Sequence, residues 1–128
     1  MEIPSFAPML NIRSGVTDVS FYEKALGAKE LRRFTNDDGS IHVVEFRVGN
    51  VLFHLREENE AKGKNVPAAH NSVTAVIGIF VDNVDEIMNN AEAAGAKITI
   101  PATDYEYHMR QGEFVDPFGH VWQVQKFL

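Results

Sequence analysis

The sequence predicts an α+β fold: two tandem βαβββ modules whose curved mixed sheets surround a cup, with the helices on the outer face. Three observations predict it. Two helix exits repeat almost letter for letter, Ala25-Leu26-Gly27-Ala28-Lys29 and Ala93-Ala94-Gly95-Ala96-Lys97. Each exit is followed by three short stretches rich in β-branched and aromatic residues, as strands prefer. The breaks between those stretches carry turn chemistry: Asn36-Asp37-Asp38-Gly39, Gly49-Asn50 and Asp116-Pro117-Phe118-Gly119.

The elements follow in order. Residues 6–12 read as a first strand. Residues 16–26 have apolar positions at Val16, Val19, Ala25 and Leu26 with Phe21 and Tyr22, which suits an amphipathic helix. Ser14 or Thr17 is its expected cap, and Gly27 stands where a C′ glycine belongs. Strands are expected over 30–35, 41–48 and 51–56. The polar segment 57–71, with Gly63 and Pro67, reads as a linker. The second half repeats the plan. It has a strand over 73–81, a helix over 84–94 capped by Asp82 or Asn83, and strands over 97–100, 113–116 and 121–126. The chain is thus expected to be one domain made of modules over about 5–56 and 73–127.

Composition narrows the function. The 128 residues, 45% hydrophobic with nine Phe, suffice for one packed domain. The net charge of −6, with Lys and Arg scattered along the chain, argues against nucleic acid and anionic membrane surfaces as partners. No apolar run is long enough to cross a bilayer. The first residues lack the basic and apolar regions of a secretory signal, so a cytoplasmic protein is expected. The absence of cysteine removes thiol catalysis, disulfides and thiolate metal sites. No glycine-rich phosphate loop is present, and Ser14, Ser20, Ser40 and Ser72 sit at caps, turns or helix surface, without the context of a nucleophilic serine.

Strand alternation divides the candidate residues between faces. Over 51–56, Val51, Phe53 and Leu55 form one face and Leu52, His54 and Arg56 the other. Over 121–126, Trp122 and Val124 oppose Val121, Gln123 and Gln125. The apolar faces belong under the helices. The mixed faces either line a concave small-molecule site or simply face water. His54, an imidazole within an apolar strand, is the first candidate for an acid, base or ligand, against a structural role within the sheet. Gln123 can donate to and accept from a bound molecule, or from a neighbouring strand. Glu45 is a general-base candidate, and His42 lies on the opposite face of its strand. The segment 104–110 reads as a long connection that brings Tyr105, Tyr107, His108 and Arg110 over a ligand, with Arg110 reading an anionic group. His120 is expected to hold its hairpin and His70 to be solvated.

The two-fold plan, Phe21-Tyr22-Glu23-x-Ala25-x-Gly27-Ala28 and Asp116-Pro117-Phe118-Gly119-His120-x-Trp122 together resemble the vicinal oxygen chelate superfamily. This is the glyoxalase, bleomycin-resistance and extradiol-dioxygenase group. Pro8-Met9-Leu10 and Arg110-Gln111-Gly112 are similar to its PhnB-like branch. The resemblance implies a homodimer and a divalent metal held by the first and last strands of each module. Carried over, those positions are Ala7, His54, Val76 and Gln123. A shift of one residue offers Pro8 and Ala75 or Ile77. Only His54 and Gln123 have ligating side chains, too few for a tight site. The expectation is therefore a metal-free protein that binds a small metabolite or drug-like molecule. The alternative is a lyase, isomerase or dioxygenase whose divalent metal is completed by water, substrate or a partner subunit.

Overall fold

Each module runs strand, helix, then three strands. The computed structural model describes residues 5–67 and 73–128, so His70 lies outside the described residues. The first module comprises β1 (Met9–Ile12), α1 (Phe21–Leu26), β2 (Lys29–Thr35), β3 (Ile41–Val48) and β4 (Val51–Glu57). The second comprises β5 (Val76–Phe80), α2 (Val84–Ala93), β6 (Lys97–Tyr105), β7 (Met109–Val115) and β8 (Val121–Phe127). Each forms its own four-stranded mixed sheet, ordered β1-β4-β3-β2 and β5-β8-β7-β6. The first strand of each is parallel to the last, and the remaining pairs are antiparallel hairpins. Among the described residues no helix is long and apolar enough to cross a membrane.

Local chemistry explains where elements start and stop. Helix α1 begins at Phe21, later than its apolar spacing suggests. Asp18 Oδ1 accepts from the Ser20 N–H and Oγ at 2.9 and 2.7 Å, folding the preceding chain into an Asx turn. Val16 and Val19 are nevertheless buried, so their spacing reports the core and not a helix. Gly27 takes φ 67° and its N–H bonds to Glu23 O, while Ala28 N bonds to Tyr22 O, which closes the helix. Asn83 caps α2 by accepting from the Glu86 N–H at 3.0 Å. The segment expected as a long connection is the end of a hairpin: β6 runs to Tyr105 and β7 starts at Met109. His108, at φ 63°, makes the tight reversal between them.

One core serves both modules. Tyr22 of α1, fully buried, lies against Phe46 and Phe53 of the first sheet and Phe118 and Trp122 of the second module, with ring centroids 5.4–6.1 Å away. Phe53 meets Trp122 directly at 5.7 Å, and α1 packs on α2. The hub of this core is polar. Buried Asp116 accepts from Tyr22 Oη at 2.6 Å and Trp122 Nε1 at 3.0 Å. It also accepts from the N–H groups of Phe118 and His120 at 2.9 and 3.0 Å. The last hairpin is thereby fastened to the first helix. Burial and the adjacent Asp116 carboxylate push the Tyr22 phenol well above its ordinary value.

Candidate functional site

The apolar faces lie under the helices as alternation requires: Phe53, Leu55, Trp122 and Val124 are buried, while His54, Gln123 and Gln125 are half-buried on the reverse faces. Because the helix-covered faces share a core, the helix-free faces look away from it. His54 and Gln123 therefore stand on separate walls. A hollow of about 470 Å³ does lie between the modules, but on the apolar side, lined by residues that include Val51, Phe53, Ile77, Ile79 and Trp122.

On the first wall the two-residue Gly49-Asn50 turn sets the register of β3 against β4, placing Glu45 opposite His54. His54 Nε2 donates to Glu45 Oε2 at 2.8 Å. Arg32, paired with Glu45 from β2, reaches the same oxygen at 3.2 Å. The Arg32 guanidinium first, and then the imidazole, hold the Glu45 carboxyl below its usual range. Glu45 is thus a fixed anion that orients His54. Arg47 and Arg56 extend the same face by alternation, so in a chain of net charge −6 this wall is locally basic. His42 pairs instead with Glu57, Nδ1 to Oε1, at 2.8 Å.

The second wall carries amides and phenols. Tyr107 Oη donates to Gln111 Oε1 at 2.6 Å, and Gln111 Nε2 to Gln125 Oε1 at 3.0 Å. Gln123 Nε2 donates to the same Gln125 oxygen at 2.8 Å. Tyr105 stacks on Tyr107 with centroids 5.3 Å apart. Glu113 stands opposite Gln123, as Glu45 stands opposite His54, and accepts from Thr99 Oγ1 at 2.6 Å. Sequence reading singled out Gln123, Tyr105 and Tyr107 and placed Gln125 on the face of Gln123, but missed Gln111 and Glu113. Alternation along β7 would have found them.

Arg110 and His108 sit elsewhere. Arg110 forks onto Asp85 at the start of α2, with bonds of 3.1 and 2.8 Å, and reaches Asp104 at 2.8 Å. Those two carboxylates push its guanidinium up, and the guanidinium in turn holds the Asp85 carboxyl below its ordinary value. His108 is exposed at the hairpin tip, its carbonyl accepting from Leu128 N at 2.9 Å. His120 does more than hold its hairpin, since its Nε2 donates to Asn11 O of β1 at 2.7 Å and ties the two modules.

The pairing also decides what a metal would find. Met9 is the β1 partner of His54, and Gly78 the β5 partner of Gln123. The positions carried over from sequence, Ala7 and Val76, are each two residues early, because parallel pairing has no turn to fix its register. Neither Met9 nor Gly78 offers oxygen or nitrogen from its side chain. One imidazole and one amide do not suit a hard divalent ion. Among the described residues no three His, Asp or Glu side chains are grouped to hold one.

The model of the Glyoxalase/Bleomycin resistance protein/Dioxygenase superfamily matches residues 17–124. No curated protein matches significantly. Among solved structures, TioX from Micromonospora sp. ML1 is similar at 24% identity and TM-score 0.70, over 97% of this chain and 100% of that one. A gene product from Arabidopsis thaliana has 19% identity and TM-score 0.74, over 98% and 100%. The fosfomycin resistance protein FosX from Mesorhizobium loti has 14% identity and TM-score 0.67, over 100% and 95%. At these identities the likeness is one of fold.

Proposed function

The chain belongs to the glyoxalase/bleomycin resistance protein/dioxygenase superfamily, and from that premise we propose that it binds a small metabolite or drug-like molecule on the helix-free walls of its modules, without a full metal site. One observation carries this: Met9 and Gly78 stand beside His54 and Gln123, where further metal ligands would be needed. What remains is a pair of walls suited to organic ligands, basic and imidazole-bearing on one side, aromatic and amide-bearing on the other. His54, Gln123, Tyr105 and Tyr107 are the contacts of this site. Arg110 and His108 shape its outer rim through the hairpin they belong to. Within the superfamily, the Pro8-Met9-Leu10 and Arg110-Gln111-Gly112 motifs favour the PhnB-like branch.

A homodimer completes the site. The helix-free walls diverge within one chain, so a second copy supplies the facing wall. The β5 edge strand exposes Val76 and Phe80, and Phe80 stacks on exposed Phe127 at 5.1 Å, an apolar edge suited to such pairing.

A thermal-shift screen of metabolites and drug-like aromatics tests this. A ligand at 100 times its Kd stabilises by about 2.7 kcal/mol, on the order of 10 °C for a domain of this size. The shift should vanish in both His54→Ala and Gln123→Ala. Equal shifts in both variants and wild type would move the site elsewhere, and a screen in which nothing stabilises the protein would defeat the binding function. Stoichiometric divalent metal, with activity lost on chelation, would establish the metal-dependent lyase, isomerase or dioxygenase instead.

A further inference from the structure

We propose that the Glu45–His54 pair is a metal-free base, which takes a proton at His54 Nδ1 from a small carbon acid held on the first wall. This rests on the small-molecule site proposed above and adds a reaction to it. Three features lead to it. Glu45 is kept ionised and can only accept, so His54 Nε2 carries the proton of their 2.8 Å bond. That fixes the tautomer and leaves the lone pair of neutral imidazole on Nδ1. Among the described residues Nδ1 has no hydrogen-bond partner, yet no buried side-chain nitrogen or oxygen lacks one, so Nδ1 is open to solvent or ligand. The beginnings of a general base are therefore present: an oriented ring, a carboxylate behind it, and a free acceptor in front.

The surroundings suit the product of such a step. From β3 the imidazole faces Glu45, with Arg47 beyond it. On the same face, β2 brings Arg32 onto Glu45, and β4 carries Arg56 two residues beyond His54. Its β1 neighbour, Met9, is uncharged. When the substrate C–H bond breaks, the proton forms the Nδ1–H bond of an imidazolium paired with Glu45. The electron pair stays on the substrate, whose anion forms on the face that carries Arg32, Arg47 and Arg56. His42, among the described residues the other imidazole bound to a glutamate, spends Nδ1 on Glu57 and stands more exposed, so it serves as a comparison within the same chain.

The probe is 5-nitrobenzisoxazole. Base removal of its C3 proton expels the ring oxygen as a coloured cyanophenolate, with no co-reactant. The full chain should convert it at least about tenfold faster than the same concentration of free imidazole. His54→Gln should fall to the imidazole-free rate and isosteric Glu45→Gln should slow it by about tenfold, whereas His42→Gln should change nothing. Nitrogen-resolved NMR of neutral His54 should find the proton on Nε2 in wild type, with that preference lost in Glu45→Gln. Wild-type turnover no faster than imidazole, turnover surviving His54→Gln, or a neutral His54 protonated on Nδ1 would each overturn the proposal. A ligand screen that fails while the probe reacts would defeat only the binding function.

Discussion

Replacing Asp116 should unfasten the two modules from their shared core. Its carboxylate takes four donors: the Tyr22 phenol, the Trp122 indole, and the N–H groups of Phe118 and His120. In Asp116→Ala the phenol and the indole are left buried without partners, at about 1–3 kcal/mol each. The two turn N–H groups also lose their acceptor, so a total loss of about 4 kcal/mol is expected. Asp116→Asn can keep Oδ1 for the backbone donors but turns an NH₂ toward the phenol and indole. The phenol can rotate to accept and the indole cannot, so this variant should lose about 2 kcal/mol. Urea unfolding gives both numbers. Trp122 is the sole tryptophan, so its fluorescence reports from inside the network. A loss under about 1 kcal/mol in Asp116→Ala, with an unchanged denaturant slope, would refute the view that this carboxylate joins the modules.

Two further consequences follow from the core. The Tyr22 phenol is pushed above its unfolded value of about 10, so its contribution is complete below that pH and is lost as the pH rises toward the folded value. Stability should therefore fall above about pH 10, and Tyr22→Phe should flatten that fall while lowering stability at pH 7 by about 1–2 kcal/mol. Parallel pH–stability curves for the two proteins would contradict the assignment. Gly112→Ala would place a methyl 2.7 Å from Met88 Cε. Met88 Sδ and Cγ also stand at 2.8 and 3.1 Å, so most of that side chain must shift and a cost of about 1–3 kcal/mol is expected. Met88→Ala in the same background should remove the clash, as a double-mutant cycle in urea would show.

What the sequence disclosed depended on whether the signal was local. Strand β3 spans the expected 41–48 because turns bound it on both sides. The two-fold plan was legible because both helix exits and three of the four hairpins carry a glycine. The start of α1 was not legible, since Val16 and Val19 are buried by the core without being helical. Nor was the end of β6, because the hairpin tip at 106–108 turns on His108, a residue with no turn signature. The Glu45–His54 pair was within reach: a two-residue loop pairs Val48 with Val51, and counting outward from there brings Glu45 to His54. The partners of His54 and Gln123 in β1 and β5 were not, because parallel strands joined by a crossover leave their register to packing. Arg110 shows the same limit, since Asp85 reaches it only through the docking of α2 on the sheet.

The most direct test of a metal-free site is elemental analysis of untagged protein, purified without chelator and supplied with zinc, manganese, nickel and iron during growth. Substoichiometric metal in wild type, unchanged in His54→Ala and Gln123→Ala, is the predicted result. One equivalent of a divalent ion per chain, lost from both variants, would contradict it.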